Sequence, residues 1–242
     1  MNKIFIKPLQ IIFLFFVGLN AHAQKQLVVD PDAVVRELLG SFSSIKVSSG
    51  IHVFLSQAEV EVLAISASEE KYRQGIKTEI SNGELHIFYT GYKIRYSNNF
   101  KMNVYVGYKN LEQLHASGAS NIIIAGVMEL PLLNVQLTGA SQLKGQLKIS
   151  DLNIKLSGAS EAKILGSVKN INIESSGASD VKAFGLSAEN CNVKASGASD
   201  VKITVSKYIA ASASGASNIF YKGSAELTLK QSSGASSVSN VE

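Results

Sequence analysis

From residue 111 onward, apolar and polar side chains alternate with period two in runs broken at a nearly constant interval by the same punctuation, S-G-A-S or T-G-A-S. Alternation of this kind marks a strand with one buried face. The punctuating glycines are Gly118, Gly139, Gly158, Gly177, Gly197, Gly215 and Gly234, spaced by 18 to 21 residues. Aligned on them, the apolar positions fall into columns. Six residues ahead stand Leu133, Leu152, Ile171, Cys191 and Ile209, and four ahead stand Leu114, Val135, Ile154, Ile173, Val193 and Ala211. Four residues after the glycine come Ile122, Leu143, Ala162, Val181, Val201, Ile219 and Val238. Asn134, Asn153, Asn172 and Asn192 lie between the two preceding columns and point the other way, so stacking turns them into an amide ladder.

A motif repeated seven times at fixed spacing is a structural unit, whereas a catalytic loop has no reason to recur. The period predicts an all-β fold, a single-stranded right-handed parallel β-helix with coils of about 19 residues stacked ~4.8 Å apart. Each coil is expected to hold two or three short strands separated by tight corners and to bury roughly five inward side chains. A second set of glycines, Gly126, Gly166, Gly185 and Gly223, eight residues after the first, marks another corner. No proline follows Pro131, as strands that donate every N–H to the next coil require.

The part before the repeat reads as a less regular version of the same design. "SFSSIKVSSGIHVFLSQ" alternates about Gly50, "VEVLAIS" is a strand, "IKTEISNGELHIFYT" is a hairpin turning at Asn82-Gly83, and "KMNVYVGY" is a further strand. "SEEKYRQ" predicts one or two helical turns, and "PDAVVRELLG" a short helix or capping segment. Lys3 and Lys7, the apolar run Ile11 to Val17 and the small residues Ala21 and Ala23 read as a signal peptide over residues 1–23, cut after Ala23. The expected mature chain, residues 24–242, is one domain, with irregular coils and a cap over 24–110 and regular coils over 111–242. No other run is long and apolar enough to span a bilayer, so export without a membrane anchor is expected.

An exported chain with the element "FSSIKVSSGIHVFLSQ", the hairpin "SNGELHI" and serial S-G-A-S repeats resembles the autotransporter-adhesin head GIN domain proteins common among Bacteroidetes. The resemblance covers nearly the whole mature chain. It implies a pectin-lyase-like parallel β-helix, an adhesive role and no established catalytic residues. The loops of that family often carry Gly-Ser-Gly-Asn where this chain has Ser-Gly-Ala-Ser, so no site residue is transferred.

The chain's net charge of +4 falls to about +2 without the two lysines of residues 1–23. With the signs interspersed, nucleic acid is not an expected partner. The lone Cys191 allows no intrachain disulfide and falls in an inward column, as a buried small hydrophobe would.

Two features invite chemistry. Glu161, Asp180 and Asp200 recur three residues after the glycine and stack into an acidic ladder suited to Ca²⁺ or to acid–base work on a polysaccharide. The column Lys144, Lys163, Lys182 and Lys202, two places further on, points instead to a solvated charge ladder. The other feature is the aromatic segment "YTGYKIRYSNNFK", where Tyr92, Arg95, Tyr96 and Phe100 form a candidate surface for a sugar or protein, or else cap the core.

Ser117, Thr138, Ser157 and their equivalents have no histidine in register with them and no G-x-S-x-G elbow, so they read as corner residues. His86 has no second ligand at metal spacing. No catalytic residue, metal or cofactor is expected. The reading is a non-catalytic exported adhesion or scaffold protein of the cell envelope, in the periplasm or at the surface. Its partners would be a cell-surface glycan or envelope protein, with self-association through strand edges. The alternative is a carbohydrate-active enzyme or carbohydrate-binding module on the same fold.

Overall fold

A computed structural model of the chain describes residues 30–91 and 100–242. The first strands are β1 (Val34–Arg36), β2 (Ser44–Val47), β3 (His52–Gln57) and β4 (Val62–Ala67). They are followed by helix α1 (Glu70–Gly75), the hairpin β5 (Ile76–Ser81) and β6 (Glu84–Tyr89), and β7 (Met102–Tyr108). The repeat then contributes β8 (Gln113–Ala116), β9 (Asn121–Leu137), β10 (Gln142–Leu156), β11 (Glu161–Ser175), β12 (Asp180–Ala195) and β13 (Asp200–Ala213). Its last strands are β14 (Asn218–Lys222), β15 (Glu226–Ser232) and β16 (Ser237–Asn240). Together they form a β-solenoid of about 7 turns with coils of about 19 residues.

From β9 onward each coil pairs in parallel with the next, and the aligned columns become vertical neighbours. Leu152 sits on Ile171 and Ile154 on Ile173, then Ile171 on Cys191 and Ile173 on Val193. The inward side chains of β10 are Leu143, Leu147, Ile149, Leu152, Ile154 and Leu156, all buried. Burial at ~1.5–3 kcal/mol for each large side chain offsets the ordering of a coil only when coils stack on both sides.

The strands are longer than the repeat predicts, because only the S-G-A-S corner interrupts the ladder. At the second corner the strand bends through a glycine that is exposed at Gly126 and Gly185 and half-buried at Gly166, with positive φ at Gly126 and Gly166 but not at Gly185. At the third corner two neighbours, such as Ser150 and Asp151, both point outward and the alternation slips by one. Each coil therefore has three flanks. In β10 the first follows S-G-A-S to Gly145, the second runs to Ile149, and the third covers Leu152 to Leu156.

The S-G-A-S corner explains its own composition. Gly177 has φ +75°, and a Cβ there would lie 2.5 Å from the carbonyl oxygen of Gly158 one coil below. Only glycine tolerates both the left-handed backbone and that approach. The closeness is used, since the Ala178 N–H donates to that same Gly158 oxygen at 2.7 Å. The final serine turns inward and is buried: the Ser179 hydroxyl donates to the Ser176 carbonyl at 2.8 Å, and Ser199 and Ser217 repeat the contact at 2.9 and 2.8 Å.

The N-terminal part is not a run of successive coils. β2 lies between β6 and β8, and β3 between β7 and β9, so the first rung formed by the chain is flanked by strands that come later. Beyond it, β4 pairs antiparallel with β7 and β5 antiparallel with β6. The hairpin turns at Asn82 and Gly83, both with positive φ, as its sequence predicts. "SEEKYRQ" supplies α1. "PDAVVRELLG" is not helical: its Val34 and Val35, β-branched, form β1 on the free edge of β4. Arg36 fixes it there, its guanidinium donating to the carbonyls of Ile76 and Arg73 at 2.7 and 3.3 Å.

Candidate binding face

The outer surface of the third flank carries a shallow depression. This groove, of about 440 Å³, is lined by outward polar side chains together with Val135, Ile154 and Ile173. Two outward columns supply it. In the first, the amide of Asn172 donates to Asn153 Oδ1 at 2.8 Å and that of Asn153 to Asn134 Oδ1 at 2.9 Å. Asn134 in turn donates to the Glu112 carbonyl at 3.3 Å. The ladder expected from the sequence therefore forms, with its amide dipoles aligned along the solenoid axis. Asn192 stands in register above Asn172 without joining it.

The second column runs His115, Gln136, Lys155, Glu174 and Lys194, on successive rungs. Lys155 pairs with Glu174 at 3.1 Å, both half or more exposed. Such a pair contributes at most about 1 kcal/mol. This column escaped the sequence reading, although it is visible three residues ahead of each glycine as a change of charge sign.

The acidic ladder lies on the first flank. Glu161, Asp180 and Asp200 occupy adjacent rungs beside the lysine column. Lys182 bridges Glu161 and Asp180, the latter at 3.9 Å, and Asn218 donates to Asp200 Oδ1 at 2.9 Å. The hydrogen bond from Lys182 to Glu161 holds the ammonium pKa above its ordinary value. Among the described residues no three His, Cys, Asp or Glu side chains gather as a metal site.

Tyr92, Arg95 and Tyr96 lie outside the described residues. Phe100 is partly buried, packs on the core and meets the Tyr72 ring of α1 edge-on, centroids 4.9 Å apart. Cys191 is buried between Ile171 and Ile209, and burial pushes its thiol up to about 12, far from a reactive thiolate. His52 takes a hydrogen bond from the Asn121 amide at 3.3 Å, and His86 stacks on Phe88. Neither faces a serine hydroxyl in these contacts. The serines bond backbone instead: Ser176 Oγ donates to the Leu156 carbonyl at 3.2 Å.

The family whose description is "putative auto-transporter adhesin, head GIN domain" matches residues 41–225. The chain belongs to this head GIN domain family. Solved structures share the fold at low identity. A "putative adhesin" from Bacteroides fragilis is 21% identical, covers 86% of this chain and 97% of its own, and superposes with a TM-score of 0.74. A "putative adhesin" from Parabacteroides merdae is 20% identical, with coverage of 87% and 97% and a TM-score of 0.67. A "putative lipid binding protein" from Parabacteroides distasonis is 19% identical, with the same coverage and a TM-score of 0.65. No curated protein matches the chain.

The head GIN match begins inside the irregular part and ends just before β15. It therefore includes the out-of-order rung β2–β3, the α1 cap and all coils that line the groove. Among the described residues no helix is long and apolar enough to cross a membrane.

Proposed function

We propose that this head GIN protein is an exported, non-catalytic adhesion or scaffold protein of the cell envelope, and that the grooved third flank is its contact surface for a cell-surface glycan. The observation that carries the reading is the groove itself: a recessed strip lined by amides and charges repeating every rung. Donors and acceptors at a fixed step suit a polymer with its own repeat, since hydroxyl and acetamido groups find equivalent partners along the chain. Adhesion of this kind is assembled from many modest contacts, and rigidity of the stack keeps their ordering cost low.

A catalytic reading asks for convergent acids with separated pKa values. The acids of the first flank are engaged by Lys182 and Asn218, which supports a solvated ladder there. The family's adhesin description supports the same side.

A glycan array probed with the mature chain and with an Asn153→Ala/Asn172→Ala variant tests the reading. Retained signal for the wild type and its loss in the variant, at unchanged circular dichroism, is the expected result. Equal signal from both proteins moves the contact away from the groove. Release of reducing or unsaturated ends from acidic polysaccharides, abolished by Asp180→Asn, replaces adhesion with catalysis.

A further inference from the structure

The two charged flanks balance their charges differently. On the first flank the central lysine, Lys182, is shared between two carboxylates. On the third flank Lys155 and Glu174 neutralise one another at 3.1 Å, and Lys194, one rung further, has no carboxylate within salt-bridge reach among the described residues. The amide ladder stops at the same level. Asn172 spends its N–H on Asn153, its own Oδ1 takes no bond from Asn192, and Asn192 makes no side-chain hydrogen bond among the described residues. Asn192 and Lys194 are two residues apart on β12, exposed on one face and about 7 Å apart along the strand, and both line the groove. An uncompensated ammonium and an unengaged amide therefore meet at one end of a polar strip.

Resting on the glycan reading above, we propose that Asn192 and Lys194 form a carboxylate-recognition subsite, and that the groove takes an acidic glycan with uronic-acid units lying along the solenoid axis. The Lys194 ammonium donates to the uronate carboxylate in a charge-assisted hydrogen bond. The Asn192 amide and Asn172 Oδ1 take hydroxyls of the same unit and its neighbour. A neutral glycan satisfies the amides but leaves the ammonium without a counter-charge, so the lysine sets the preference and the ladder sets the position.

The test compares oligogalacturonate with the same oligosaccharide fully methyl-esterified, by calorimetry on the mature chain. A preference of up to about fivefold for the free acid is expected, the effect of one exposed ammonium–carboxylate pair. Lys194→Gln should erase that preference, bringing binding of the free acid level with that of the ester. Lys163→Gln, an exposed lysine on the first flank, should leave both as they are.

Equal affinity for acid and ester in the wild type, or an equal loss from Lys163→Gln, overturns the subsite. Ester binding that responds to Asn153→Ala/Asn172→Ala while the acid gains nothing would still support the grooved surface. Absence of binding to either oligosaccharide overturns the subsite, and a blank glycan array would then remove the surface as well.

Discussion

The regular coils and the N-terminal part bury the same kinds of side chain in the same columns, yet they reach them by different routes. In the coils each rung is the next stretch of chain, so Leu152 meets Ile171 and Ile171 meets Cys191 in sequence order. In the N-terminal part the column on one flank runs Leu85, Ile45, Leu114, and on another Val104, Val53, Ile122, which is not the order of the chain. The core accepts either arrangement because it depends on which face an apolar side chain takes and on register, and not on connectivity. What differs is redundancy. From Gly139 onward each corner of the coils rests on a copy of itself and Gly118 rests on the Ser49–Gly50 turn, while the hairpin turn at Gly83 has no such copy against it.

Glycine at equal φ exposes the contrast most sharply. Gly177→Val combines a left-handed β-branched residue with a backbone clash against Gly158, and should cost about 3–5 kcal/mol in chemical denaturation. Gly83→Ala, at the same φ of +75° but with nothing within 4 Å of the new Cβ, should cost about 1–2 kcal/mol. Equal losses would mean that stacking adds nothing at the corner.

Core truncation comes next. Ile173→Ala and Ile87→Ala, both buried, should each lose about 2–4 kcal/mol. A much smaller loss at Ile87 would show that the out-of-order strands open separately from the coils.

Within the serine column, Ser179→Ala removes a bonded hydroxyl and should cost about 1 kcal/mol. Ser141→Ala removes a buried hydroxyl that lacks a partner and should be neutral or stabilising. A thermal melt of the two variants separates them.

The smallest effect is a pH response confined to the N-terminal edge. Asp30 accepts hydrogen bonds from Ser66 at 2.6 Å and Tyr105 at 2.5 Å. Burial opposes its charge, but these bonds and the Asp32 N–H outweigh it and hold the carboxyl below its ordinary value. A lowered folded-state pKa stabilises above the unfolded value and is lost as pH falls through the folded one. Hydrogen-exchange protection in β1 and β4, relative to the intrinsic rate at each pH, should therefore fall below about pH 4 in the wild type, and Asp30→Asn should flatten that response.

Much of this was legible in advance, and the physical reason is repetition. A column such as Asn134, Asn153 and Asn172 has meaning only when residues 19 apart become neighbours, and seven copies made that spacing readable. The acidic and lysine columns followed from the same alignment. The buried final serine of S-G-A-S was not distinguished from the outward one, since both are small and polar and only the direction of the turn separates them. The placing of β2 between β6 and β8 left no local trace, because strand order is a long-range property and each of those strands alternates in the same way. Val34 and Val35 were open to a helical reading until the free edge of β4 claimed them. The column ending in Lys194 was legible but unread.

The surroundings of Gly158 and Gly177 are interchangeable, each with a Cβ position 2.5 Å from the oxygen beneath. Excising residues 159–177 as a block would thus rejoin like to like, with Ala178 finding Gly139 where it had found Gly158. Length in this protein is a heritable variable that changes in whole steps of about 4.8 Å. A lineage can lengthen or shorten the solenoid by copying or dropping one cassette, without redesigning a junction.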